Sequence, residues 1–359
     1  LERGDWIMKV DTSYISKKYE TYLLQGTKAV KLTLGEWKEV EIEDEEDGNE
    51  GGDGEDEGPT MEYRVVPIDD PVEMPAAQIV EDNPVHKYEI IESPVKKIRV
   101  GYLMYNSFTA GTKAEPEKYN NELRSVSQKF KEAGVQAVIL DLRYNEGGSM
   151  DCVQLLGTIL TSADRLGEPM AYLEYNDKNT DKDATILFGT DREINLNLHS
   201  LIAITSGTTM GAPEMLIRSL FLEDTYPIAT VGSSTKGQNV ATEQFINEEF
   251  LWSVNPVVCT VYNSQHDTYG AISPATDLKI SETTIDKSTN YSEFLPFGTF
   301  DKDGKSERLL KIAIGVLDGT YPPKDDETPE ESTTQTRFKV EKSVSSPASR
   351  RFSSKGLRL

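Results

Sequence analysis

The run LIAITSGTTMGAPEMLIRSL, residues 201–220, reads as an apolar strand, a sharp turn and a helix. An enzyme that attacks carbonyl carbon holds its nucleophile at such a turn, where the helix N-terminus favours developing negative charge. The turn here offers Met210, Gly211 and Ala212, with no hydroxyl, thiol or amine among them. What it does offer is backbone. The N–H of Ala212 can face an anion or a carbonyl oxygen without reacting. Gly147 and Gly148, at the end of another apolar strand, can do the same, and they equally suit a tight strand-to-helix turn. Other chemistries find little support. A Ser-His-Asp triad needs a histidine beside a nucleophile and an acid. His86, His199 and His266 are scattered, and His199 reads as a bystander. Cys152 and Cys259 make neither a disulfide framework nor a metal-ligand cluster, so no metal and no cofactor are predicted.

The elements that would position a site begin at residue 97. KIRVGYLMYNSF is a strand. EKYNNELRSVSQKFKEAG is a helix with Leu123, Val126 and Phe130 on one face and Gly134 as its stop. QAVILDLRYNEGG is an apolar strand ending in the glycine pair, and SMDCVQLLGTIL is a second helix. HSLIAITS, GAPEMLIRSLFL and YPIATVGSSTKGQ follow as strand, helix and strand. Apolar strands alternating with helices imply an α/β fold: a mixed sheet with covering helices. Active sites in such sheets lie at the carboxyl ends of strands, which nominates the loops 145–149, 206–212 and 233–239.

The flanks differ. Residues 1–42 are rich in short alternating runs and read as strands. Residues 43–60 are almost purely acid and glycine, a composition that buries nothing and repels itself, so a disordered loop is expected. Carboxylates there could meet calcium, but the run lacks the ligand spacing and closing Glu of an EF-hand. Residues 61–96 read as a linker or β segment, 97–320 as the α/β core, and 321–359 as a low-order tail, acidic at first and then basic and serine-rich. The net charge of −23 argues against a nucleic-acid partner and against anionic lipid. No apolar run reaches the roughly 18 residues that span a bilayer. The opening LERGDWIMKV starts abruptly inside a structural pattern, so the chain reads as truncated and its lack of a signal peptide says nothing of location.

VILDLRYNEGG (138–148) resembles the signature turn of the C-terminal processing, or tail-specific, serine peptidases. GYLMYNSF, TSGTTMGAPE, VGSSTKGQ, YGAISPATDLKISE and SERLLKIAIGVLDG follow in that family's order over roughly 97–320. The likeness is closest to its lipoprotein-type branch in Bacteroides-like bacteria. LERGDWIMKVD and LLQGTKAVKLTL are similar to the second half of the PDZ domain such peptidases carry, so a partial PDZ-like domain is expected over 1–42. The first half, which would grip a substrate's C-terminal carboxylate, is expected to be missing from this chain.

The resemblance implies a Ser-Lys dyad, in which a desolvated lysine removes the serine proton and backbone N–H groups hold the oxyanion. Laid on this chain, the nucleophile position is Gly211, the lysine position Gln238 and the assisting position Thr242. Gly147, Gly148 and Ala212 remain as oxyanion or peptide-binding amides. The reading is a peptidase homologue with impaired chemistry that binds extended or C-terminal segments of unfolded peptides. Its location is extracytoplasmic, in the periplasm or outer membrane, and any membrane contact would come through a lipid anchor outside this chain. Two alternatives stand beside it. An active endopeptidase could use a displaced dyad, with Lys236 as base and Ser206, Thr208 or Thr209 as nucleophile. A non-enzymatic scaffold could bind a folded partner instead.

Overall fold

A computed structural model describes residues 1, 3–16, 27–42, 60–78, 80–250, 252–279, 295–301, 306–321 and 356–359. The acidic run 43–59, and with it the calcium expectation, lies outside these. Contacts among the described residues separate into two compact units, one within residues 1–81 and the other over 82–321 with 356–359.

The first unit is an antiparallel sheet. Its strands are β1 (Trp6–Val10), β2 (Ser13–Tyr14), β3 (Val30–Ile42), β4 (Thr60–Pro67) and β5 (Val72–Met74), in the order β2-β1-β3-β4, with β5 also paired to β3. The alternation in AVKLTL serves this sheet. Leu32 turns inward on β3 and packs at 1% exposure, while its neighbours face outward or sit at the rim.

The second unit holds the α/β core. β6 (Val85–Glu92), β7 (Arg99–Tyr105), β8 (Ala137–Asp141), β12 (Leu201–Thr205) and β13 (Ile228–Gly232) form one sheet in the order β13-β12-β8-β7-β6. β7, β8, β12 and β13 run parallel, and β6 is antiparallel to β7. Every residue of β8 and β12 is buried, and the apolar runs AVIL and LIAI that make up most of them suit a sheet covered on both faces. On one face Leu103, Leu140 and Ala203 join the core built with α1 (Lys118–Glu132), α2 (Met150–Leu160) and α3 (Ala212–Leu220). On the other, Tyr102, Ile139 and Ile202 meet α4 (Arg308–Asp318). Leu123, Val126 and Phe130 are the buried stripe of α1, and Gly134 follows its end at φ +68°, a conformation glycine adopts without strain.

A second sheet stands beside this one. It comprises β9 (Gly147–Ser149), β10 (Pro169–Tyr175), β11 (Ala184–Leu187), β14 (Val240–Thr242), β17 (Val257–Tyr262) and β18 (Gly356–Arg358), in the order β11-β10-β17-β14-β18-β9. A hairpin of β15 (Phe245–Asn247) and β16 (Trp252–Val254) leaves it between β14 and β17.

Two expectations about the flanks differ from this arrangement. The stretch 61–96 is divided: β4 and β5 complete the first sheet, whereas β6 is an edge strand of the core, bonded along its length to β7. The tail read as low-order to its end closes in a strand, because Leu357 is buried between two neighbours.

Cys152 on α2 and Cys259 on β17 are buried free thiols. Burial pushes the Cys152 thiol up to about 12 and the Cys259 thiol up to about 11. The thiolate is the reactive form. Native protein at pH 8 is therefore expected to react slowly with a thiol reagent, and both cysteines to react promptly in denaturant. Rapid uptake by the native chain would show that one of these sites is open.

Candidate functional site

The three loops nominated at the strand ends do converge, and three buried polar residues hold them together. The first is Asn145, in the turn after β8. Its Nδ2 donates to the Tyr105 carbonyl (2.9 Å), its Oδ1 accepts the Gly147 N–H (3.0 Å), and its own carbonyl accepts the Met210 N–H (3.2 Å). One side chain thus ties the glycine pair to β7, and its backbone reaches the turn before α3. Gly147 and Gly148 sit at φ +123° and +135°, where only glycine is at ease, and Phe108 O lies where a Cβ on Gly148 would go. The Gly147 N–H is committed to Asn145, so this amide, named from the sequence as an oxyanion donor, is turned to an internal partner.

The second is Arg143, with a fully buried guanidinium. It meets Asp141 through Nε (2.9 and 3.0 Å) and Nη2 (2.7 Å), and Glu307 through Nη1 (2.9 Å) and Nη2 (3.3 Å). Burial opposes its charge, but Asp141 and Glu307 outweigh that and raise its pKa above the ordinary value. It stays a cation throughout. Its carbonyl accepts from Ser206 Oγ and from Thr208 Oγ1 (2.7 Å).

The third is Glu214, in the first turn of α3 and fully buried. Oε2 accepts the N–H groups of Gly211 (2.8 Å) and Gln238 (2.9 Å). Oε1 accepts the Gly237 N–H (2.5 Å) and the Thr235 hydroxyl. The Gly211 contact is the N3-to-N-cap half of a capping box. The other three are long-range: they strap the 235–238 turn to the helix that follows Gly211. A lone glutamate in a first helical turn reads from sequence as a dipole partner, and nothing local marked it as the post joining two loops.

Between β9 and β14 these supports leave a slot one strand wide, and β18 fills it. β18 runs parallel to both neighbours, pairing Gly356 with Gly147 and Leu357 with Gly148 on one side, and Leu357 with Ala241 and Arg358 with Thr242 on the other. Gly356 N–H donates to Glu146 O (2.7 Å), Leu359 N–H to Thr242 O (3.0 Å), and Thr242 Oγ1 to Leu357 O (3.2 Å). Gly211, at φ +71°, is the N-cap of α3, and a Cβ there would lie 2.5 Å from the Gly356 Cα. The Gln238 amide stands where a Cβ on Gly356 would go, its Oε1 buried without a hydrogen-bond partner. Gly147, Gly148, Gly211, Gln238 and Thr242 therefore all border the same segment, and Ala212 follows Gly211 in the buried first turn of α3.

The alternative dyad residues are placed elsewhere. Lys236 is exposed, and only its backbone N–H bonds inward, to Thr209 O (3.1 Å). Thr209 is buried, donating from Oγ1 to Leu142 O (2.9 Å) and accepting there from Ser206 N–H (3.0 Å). Ser206 and Thr208 share the Arg143 carbonyl and each other (2.9 Å). These hydroxyls are turn-closing groups. His266 pairs with Glu174 at 2.8 Å on the surface. Among the described residues no three His, Cys, Asp or Glu side chains gather as a metal site, and no helix is long and apolar enough to cross a membrane.

The sequence profile of peptidase family S41 matches residues 99–255, which include the turns at 145–149, 206–212 and 233–239. The chain is similar to a Bacteroides fragilis protein assigned to the S41 proteases, with 35% identity, a TM-score of 0.72, and coverage of 89% of this chain and 74% of that one. The photosystem II D1 C-terminal processing protease is far more distant, at 16% identity and TM-score 0.43 over 77% of this chain and 63% of its own. No curated protein matches.

Proposed function

This chain belongs to peptidase family S41, and from that membership we propose that it binds extended peptide segments in the slot between β9 and β14 without hydrolysing them. The observation that carries this is the pairing of a strand-shaped slot with the wrong side chains for turnover. Gly211, the nucleophile position by resemblance, has no Oγ. Gln238, the lysine position, is no base near neutral pH. The hydroxyls of the displaced-dyad alternative, Ser206, Thr208 and Thr209, are held by backbone carbonyls. Loss of a nucleophile typically costs on the order of a millionfold in turnover. Backbone pairing to the facing edges of two strands needs no such groups and is a common way to hold peptides. An extracytoplasmic location, in periplasm or outer membrane, goes with this reading on the resemblance alone.

The test is incubation of the purified chain with an unfolded protein, beside a serine-reactive probe. Neither fragments nor labelling is expected, while the unfolded protein should bind saturably. Turnover that disappears on Lys236→Ala or Thr209→Val would overturn the reading in favour of a displaced dyad.

A further inference from the structure

We propose that the slot selects a peptide with glycine opposite Gly211 followed by a leucine-sized residue, and that the chain's own segment 356–359 is its resident ligand. The inference rests on the peptide-binding reading above and specifies what is bound and how access is governed.

Three features carry it. First, the segment is held as a ligand strand is held, by backbone bonds on both edges: Glu146 O on one side, and Thr242 through carbonyl and hydroxyl on the other. Those bonds are blind to sequence and supply grip. Second, the slot is pinched at Gly356. Gly147 and Gly211 approach so closely that a Cβ on either would run into Gly356, and a Cβ on Gly356 would overlap the Gln238 amide. Gly356 itself sits at φ +95°, which disfavours any other residue. A side chain at this point of a bound peptide meets the Gln238 amide. Third, the next residue enters the core. Leu357 is 1% exposed and packs in the cluster that also contains Ala212, Met150 and Ala241. Arg358 is only partly buried and Leu359 reaches solvent, so discrimination is concentrated in the Gly-Leu pair. The two positions that remove the chemistry thus also shape the slot: Gly211 lets the strand close in, and Gln238 occupies the space of a ligand Cβ.

A tethered ligand competes at an effective concentration on the order of mM. A free peptide must displace it, so the resident segment sets the threshold for outside ligands.

The experiment uses the whole 359-residue chain and a labelled acetyl-Lys-Gly-Leu-Arg-Leu peptide, read by anisotropy, with Leu357→Asp and Gly356→Val in the same chain as variants that expel the segment. The variants are expected to bind the peptide at least about tenfold more tightly than the natural chain. On either variant, a peptide with alanine in place of glycine should bind at least about tenfold more weakly. Hydrogen exchange keeps the result interpretable. In the natural chain the Gly356 and Leu359 amides should be protected and saturating peptide should strip that protection, while in the variants β8 should stay protected, showing an intact core. Equal peptide affinity in natural chain and both variants overturns the resident-ligand claim, and equal affinity for the glycine and alanine peptides overturns the selectivity. Either result leaves peptide binding standing if unfolded protein still binds. Failure of every peptide and of unfolded protein on all three chains overturns both.

Discussion

Glu214→Ala is expected to destabilise the core unit by about 3 kcal/mol or more, as a shift of its denaturant transition followed through the near-UV signal of its tyrosines. The reason is the number of donors left behind. Gly211, Gly237 and Gln238 each donate a backbone N–H to this one buried carboxylate, and the Thr235 hydroxyl is a fourth donor. A buried donor that loses its acceptor costs about 1–3 kcal/mol, and water entering the cavity can recover only part of that. Glu214→Gln separates acceptor count from volume. The amide fills the same space but turns one oxygen into a donor, and each Glu214 oxygen faces two donors. Glutamine should therefore fare little better than alanine. A cost below about 1 kcal/mol for both would mean that the two loops hold together without this residue. The site has a second readout: both variants should raise hydrogen exchange at residues 236–238, and peptide affinity should fall with them.

Arg143 is the second large effect. Arg143→Leu leaves Asp141 and Glu307 buried without their shared cation, and breaking a buried pair in this way typically costs about 3–5 kcal/mol. Asp141 keeps the Tyr102 hydroxyl (2.8 Å) and Glu307 keeps the Leu310 N–H (2.9 Å) at the start of α4. Neither contact neutralises a charge. Arg143→Lys is not expected to rescue, because an ammonium cannot present the fork that reaches both carboxylates. Denaturant titration should place the lysine variant near the leucine one. A lysine variant as stable as the natural chain would show that charge alone, and not the fork, is what the site needs.

The sequence was informative where many residues repeat one signal. The four-residue apolar runs AVIL of β8 and LIAI of β12, the stripe Leu123–Val126–Phe130 and the stop at Gly134 all stand in the structure as the sequence pattern suggests. The three loops also converge where parallel-sheet topology puts them. The glue was not legible. Glu214 acts on residues more than twenty positions away, and Asn145 works as much through its carbonyl as through its side chain. β18 was missed for a different reason. Three residues carry no measurable period, and GLR at the end of a basic, serine-rich run has the composition of a solvated tail. Its partners, β9 and β14, lie far back in the chain and are themselves three residues long. β6 was only partly read, because the charges that alternate through VHKYEIIE suit an edge strand as well as a linker.

The position of β18 also bears on the order in which the fold assembles. Gly147 and Gly356 are separated by most of the chain, so their pairing closes a long loop, and the entropy of closure must be met before that contact can repay it. The strands β7, β8, β12 and β13 and their helices connect through shorter separations and gain buried apolar surface as they form. The core sheet is therefore expected to be complete while β9 and β14 still face each other across an empty gap, with the last strand docking late. In pulse-labelling exchange during refolding, the amides of β8 should become protected before those of Gly356 and Leu359.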